Sequence, residues 1–146
     1  MKVLWFAHRD IKHPKAGGAE RTIYANLVSQ FLWPMHDNLQ PVLYGDGTQR
    51  RDFIYINDNA RASVLAMEKG KAGEAYNIGT GISTDFNAIY KIIKEEMGSK
   101  VEPKYEKNPF SSYQMFTQAV IEKAKNDLGF TPEYDIRSGV RAMLDQ

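Results

Sequence analysis

The order of apolar runs and helical stripes predicts an α/β domain of the α+β kind, a small mixed sheet with flanking helices. Three observations carry this reading. Short strand-like runs such as Pro41-Val42-Leu43-Tyr44 alternate with longer stretches whose apolar residues recur every three or four positions. Glycine and proline stand at many of the changeovers. A chain of 146 residues, 42% hydrophobic and 25% charged, has the size and balance of one domain around one core.

Val3 to Ala7 reads as a buried parallel strand, and the polar loop from His8 to Gly18 is broken by Pro14 and the pair Gly17-Gly18. A helix follows from Ala19 to about Trp33. In it Ile23, Leu27 and Phe31 recur every four residues, Val28 and Leu32 widen the stripe, and Pro34 closes the pattern. Pro41 to Tyr44 is a strand ending at a glycine turn, and Phe53 to Ile56 a short extended segment. Asn57-Asp58 offers an N-cap for a helix to about Lys69, broken by Gly70.

Glu74 to Ile78 is expected as a strand, with Ser83 and Thr84 capping the helix after it. There Phe86, Ile89, Ile93 and Met97 form one apolar stripe, which Gly98 ends. Val101 to Tyr105 suggests a further strand. Two short helices finish the chain, one from about Val120 to Leu128 with Ala124 inward. The other starts at Asp135 as N-cap and runs through Ile136, Val140, Met143 and Leu144.

A net charge of +1, from 19 basic and 18 acidic residues, argues against a nucleic-acid partner bound by phosphate neutralisation. The apolar runs fall far short of a bilayer span, so no membrane partner is expected. The chain has no cysteine, which excludes disulfides and thiolate metal sites and fits a cytoplasmic location. A small or nucleotide-bearing ligand is the expectation that remains.

One block carries most of the chemistry: Tyr44-Gly45-Asp46-Gly47-Thr48-Gln49-Arg50-Arg51-Asp52-Phe53-Ile54-Tyr55, followed by Tyr76-Asn77-Ile78-Gly79-Thr80-Gly81. In this order and spacing it resembles the substrate-binding half of NAD-dependent sugar-nucleotide epimerases and dehydratases, the extended short-chain dehydrogenases. The resemblance runs from about Ala25 to the C-terminus. It implies that Arg51 grips the diphosphate of a nucleoside-diphosphate sugar, a task for a planar fork of donors. It also implies that Tyr44 borders the base, with backbone at Leu43 and Gly45 available for hydrogen bonds. Tyr113-Gln114-Met115-Phe116-Thr117-Gln118 resembles the heptose-epimerase branch, where the tyrosine, here Tyr113, contacts the bound sugar nucleotide.

The same resemblance implies a truncated extended short-chain dehydrogenase, because such enzymes hold NAD and their catalytic groups in an N-terminal Rossmann domain that this chain hardly has. NAD is therefore the family's cofactor, with none expected for this chain alone. No catalytic residue and no metal ligand is assigned. Removal of the Rossmann domain should uncover apolar surface around Tyr44, Phe53 and Tyr55, which predicts a homo-oligomer or association with a Rossmann-domain partner.

Residues 1 to 24 resemble something else. Met1-Lys2-Val3-Leu4-Trp5-Phe6-Ala7-His8-Arg9-Asp10, with His13-Pro14-Lys15-Ala16-Gly17-Gly18-Ala19-Glu20, is similar to the opening of retaining glycosyltransferases of the two-Rossmann-domain type. The chain thus reads as a single domain over 1–146 spliced from a glycosyltransferase-like start, 1–24, and an epimerase-like remainder, 25–146.

Several tempting signals are set aside. Tyr90 and Lys94 match the Tyr-x-x-x-Lys pair of short-chain dehydrogenases and share a helix face, but they follow the Asn-Ile-Gly-Thr-Gly turn, where the family has a peripheral helix. That turn lacks the third glycine of a dinucleotide fingerprint, since position 84 is threonine. Asp46 reads as turn chemistry and Arg50 as a solvated neighbour. His8, Asp10 and His13 meet no zinc spacing. The chain departs from the family at Asn59, at Lys107-Asn108-Pro109, and at Val120, where an aspartate would cap the following helix.

Overall fold

The computed structural model describes residues 27–109 and 113–145. The expected first strand and helix start, with His8, Asp10 and His13, lie outside the described residues. Helix α1, Leu27–His36, buries Val28, Phe31, Leu32 and Met35. Pro34 does not close it. The helix runs two residues further because Met35 gains a core position and a proline this close to the end forfeits only one intrahelical bond. Asn38, at φ 57, then reverses the chain in the left-handed region. Its N–H donates to Met35 O at 3.2 Å and that of Leu39 to Pro34 O at 2.7 Å, a two-bond cap on the last carbonyls.

Strand β1, Val42–Tyr44, pairs in parallel with β4, Lys104–Glu106, in the register Val42↔Lys104 to Tyr44↔Glu106. Strand β2, Arg50–Asp52, pairs antiparallel with β3, Ser83–Asp85, in the register Arg50↔Asp85 to Asp52↔Ser83. Among the described residues, the small mixed sheet of the sequence reading is two separate two-stranded ladders. Phe53–Tyr55 joins no ladder and leads into helix α2, Ile56–Lys69, with Tyr55 in extended conformation as expected and Ile56 already helical. Glu74–Ile78 finds no ladder partner among the described residues. Its Tyr76 is buried all the same, with the hydroxyl accepting from Lys71 N at 3.1 Å and donating to Asp127 Oδ2 at 3.3 Å.

Two caps differ from expectation. At α2 the N-cap residue is Tyr55 and makes no side-chain bond, because Asp58 is buried and engaged elsewhere. At helix α3, Phe86–Glu96, the cap is Asp85, whose carboxylate accepts from Ala88 N at 2.8 Å, while Ser83 and Thr84 are spent in β3. Helix α4, Glu122–Leu128, starts without a side-chain cap, and Val120 before it is 68% exposed. Helix α5, Ile136–Leu144, is capped by Asp135 as expected, with Ser138 N donating at 2.7 Å.

The side chains of the described residues form two cores. The larger joins Val28, Phe31, Leu32 and Met35 of α1 to Leu43 of β1, Phe86, Ile89, Tyr90 and Ile93 of α3, and Val140 of α5. The smaller joins Ala62 of α2 to Tyr76, Ala124 and Leu128 of α4, and Phe130. Fully burying one leucine or phenylalanine contributes about 1.5–3 kcal/mol, so the three-residue strands are held chiefly by these helices. No helix among the described residues is long and apolar enough to cross a membrane.

Candidate functional site

The loop after β1 is a rigid connector. Gly45 and Gly47 take φ of 67° and 72°, values that strain any residue with a side chain. Asp46 turns back on itself, its carboxylate accepting from Thr48 N at 3.0 Å and Thr48 Oγ1 at 2.6 Å. The Thr48 hydroxyl and amide hold the Asp46 carboxyl below the usual range, the signature of turn chemistry. The loop also closes over the start of α3. Asn87 N donates to Gly47 O at 3.1 Å, Asn87 Nδ2 to Asp46 O at 2.8 Å and Phe86 N to Gln49 O at 3.0 Å.

Alternation along β2 sends its two arginines to opposite faces. Arg50 is exposed, as expected of a solvated neighbour, and its guanidinium also lies 3.5 Å from Asp85 and donates to Ser83 O, tying β2 to β3. Arg51 is half-buried, with Cζ 5.2 Å from the centroid of the Tyr113 ring and 5.6 Å from that of Phe86. One of its terminal nitrogens donates to Arg50 O at 2.8 Å, and it forms no ion pair with a carboxylate among the described residues. Two ring faces therefore steady a cation without consuming the donors that an incoming anion would use.

Asp52 builds the opposite wall. Its carboxylate accepts from Thr80 N at 2.8 Å, Thr80 Oγ1 at 2.5 Å, Gly81 N at 2.8 Å and Ala119 N at 3.1 Å. The Thr80 and Gly81 amides of the Asn77-to-Gly81 turn are thus taken by Asp52 and are not open to a phosphate. Gly79 lies against the same carboxylate. A Cβ there would stand 2.5 Å from Ala119 Cβ and 2.7 Å from Asp52 Oδ2. Gly79→Ala is expected to destabilise the fold by about 2 kcal/mol, read by urea unfolding, and a variant as stable as the parent would contradict this packing.

Tyr44 ends β1 half-buried, and its carbonyl accepts from Gln49 Nε2 at 2.8 Å. Gly45 N donates to Glu106 O at 2.8 Å, and Lys104 N to Pro41 O at 2.9 Å, so by alternation the Leu43 backbone also faces β4. The Leu43 and Gly45 amides are consequently engaged in the ladder rather than open to a base. What Gly45 contributes is space, since a Cβ there would stand 3.1 Å from Gln49 Nε2. The fold brings Arg51 and Tyr113 into contact and links Tyr44 to them through Gln49 and Phe86. Sequence reasoning missed Gln49, because nothing in a polar turn marks one side chain as buried.

Tyr90 and Lys94 do share a face, with Lys94 Nζ 5.8 Å from the Tyr90 ring centroid. Both are bonded to the segment that follows α3. The Tyr90 hydroxyl donates to Val101 O at 2.7 Å, and Lys94 pairs with Glu102. Burial pushes the Tyr90 hydroxyl above its ordinary value, the reverse of what a proton-abstracting tyrosine needs. Tyr44, Phe53 and Tyr55 are each half-buried rather than an exposed patch, Tyr55 lying 4.5 Å, centroid to centroid, from Tyr134.

The chain is similar to known proteins in sequence and in fold. Residues 15–79 match the model of the NAD dependent epimerase/dehydratase family. A putative UDP-glucose 4-epimerase of Methanocaldococcus jannaschii is 36% identical over 122 residues, 83% of this chain and 38% of that protein. The chain belongs to the NAD-dependent epimerase/dehydratase family. Among solved members, the UDP-glucose 4-epimerase of Thermotoga maritima with UDP-glucose superposes with a TM-score of 0.78 at 35% identity, over 83% of this chain and 38% of that one. The UDP-glucuronic acid 4-epimerase of Bacillus cereus, in complex with UDP-glucuronic acid and NAD, gives 0.76 at 28%, over 83% and 39%. This epimerase-family chain spans about 38% of the length of the relatives it matches. The family match begins at residue 15, inside the segment that resembles a glycosyltransferase, and that segment lies outside the described residues.

Proposed function

We propose that this chain is a nucleoside-diphosphate-sugar recognition unit of an epimerase or dehydratase. Arg51 grips the diphosphate, Tyr44 borders the base and Tyr113 flanks the sugar nucleotide while steadying Arg51. The observation that carries this reading is the half-buried Arg51 held between Phe86 and Tyr113, with no carboxylate paired to it among the described residues. In the whole reaction of such enzymes NAD takes a hydride from the sugar and returns it, and the cytoplasm supplies both. This chain alone contributes binding, and hydride transfer needs a bound nicotinamide, for which the sequence carries no glycine fingerprint. Calorimetric titration with UDP-glucose should give weak binding, and no heat with any nucleoside-diphosphate sugar at millimolar concentration would sink the reading. A parallel assay with NAD should show no NADH absorbance and no epimerised sugar.

A second reading is association, favoured by a specific observation. On α2, Ile56, Val64 and Met67 are 65%, 53% and 65% exposed and fall on one stripe, away from the buried Asp58 and Ala62. Light scattering should find a species heavier than 16.6 kDa. A monomeric mass across a wide concentration range rejects self-association and leaves the binding reading untouched.

A further inference from the structure

Gln49 is a polar side chain whose burial the site as described does not explain. It is 3% exposed. Its amide orientation follows from its neighbour: the Tyr44 carbonyl, 2.8 Å away, can only accept, so Nε2 faces it and Oε1 faces inward. Oε1 has no partner among the described residues. An unpaired buried acceptor destabilises a fold, so an apolar side chain of the same length would serve packing as well. The amide must matter for what it holds. Nε2 restrains Tyr44 O, the Gln49 carbonyl takes the Phe86 amide at 3.0 Å, and the Phe86 ring lies 5.6 Å from the Arg51 guanidinium, two residues further along the chain.

We propose that Gln49 is a positioning residue, a brace that sets the distance between the base-bordering Tyr44 and the diphosphate-gripping Arg51 so that one ligand engages both. The inference rests on the nucleotide-sugar reading above. In a nucleoside diphosphate the base and the phosphates are covalently joined at a limited span. Two half-sites at the right separation therefore act as one, and a loose separation forfeits that gain.

Gln49→Met tests the brace, because it keeps length and volume, removes the bond to Tyr44 O and also removes the orphaned Oε1. The melting temperature should stay within about 3 °C of the parent, the lost bond being offset by the relieved acceptor. Affinity for UDP-glucose and UDP should fall about tenfold. Uridine and inorganic pyrophosphate, which each touch one half-site, should lose less than about twofold. Equal losses for all four probes would assign Gln49 a merely structural role, and no loss for UDP would overturn the proposal. Ligand-free 15N spectra separate the brace from the binding reading. The Gly45 amide and Arg51 Nε–H signals should both move in the variant. An unmoved Arg51 signal overturns the brace whatever binds, whereas coupled signals in a parent that binds no UDP-glucose uphold the brace and sink the recognition reading. Should Gln49→Met not fold, Gln49→Asn, which shortens the brace by one methylene, is read by the same criteria.

Discussion

Asp58→Ala is expected to destabilise the fold by about 3–4 kcal/mol and to lower the melting temperature by about 10 °C. Asp58 is 1% exposed, yet it is ionised and fully used. Its carboxylate accepts from Arg61 at 2.8 Å, from Glu133 N at 3.0 Å to each oxygen and from Tyr134 N at 2.9 Å. It thereby fastens the segment before α5 onto α2. Alanine would leave two backbone amides and part of a guanidinium without an acceptor, the costly kind of deletion. Burial by itself would raise the Asp58 carboxyl, but Arg61 and the amides of Tyr134 and Glu133 outweigh it and hold the group below the usual aspartate range. A carboxyl depressed in the folded state stabilises above its unfolded pKa of about 3.9 and loses that contribution as pH falls through the lower folded value. Stability measured by urea unfolding should therefore decline below about pH 4 in the parent, with that part of the decline missing in Asp58→Ala. An alanine variant that melts with the parent would refute the role assigned to Asp58.

Arg51→Ala should cost about 100-fold in affinity for UDP-glucose, close to 3 kcal/mol, with little change in melting temperature. The guanidinium is held by ring faces, an arrangement worth only about 0.5–1 kcal/mol at a partly exposed site, so the fold does not depend on it. The diphosphate does, because two charge-assisted bonds from a fixed plane are lost together. Arg51→Lys should recover no more than about tenfold, since an ammonium keeps the charge but cannot lie flat between Phe86 and Tyr113 or offer a forked pair of donors. Calorimetry on the three proteins at matched salt decides it, and equal affinity in parent and alanine variant would remove Arg51 from the site.

Helices were the legible part of this chain. The stripe Phe86, Ile89, Ile93 is buried as its spacing foretold, Asp135 caps α5, and Ala124 points inward, because helical periodicity and capping are local properties. Strands were harder to read. Three residues are too few to show an alternation, and which segment becomes a strand depends on a partner distant in sequence: Arg50–Asp52 was chosen by Ser83–Asp85, and Glu74–Ile78 was left without a ladder partner among the described residues.

The sequence by itself determined the family and the residue types available to the proposed site: a guanidinium at Arg51, an aromatic strand end at Tyr44, and glycines where the chain must turn with positive φ. Only the tertiary structure decided how those groups are held. It placed Tyr113 and Phe86 against Arg51, spent Arg50 on Asp85, committed the Gly45 amide to β4 and buried Gln49 and Asp58 as braces. The physical reason is that a residue type limits which bonds a side chain can form, whereas its burial and partner depend on which distant segments fold against it.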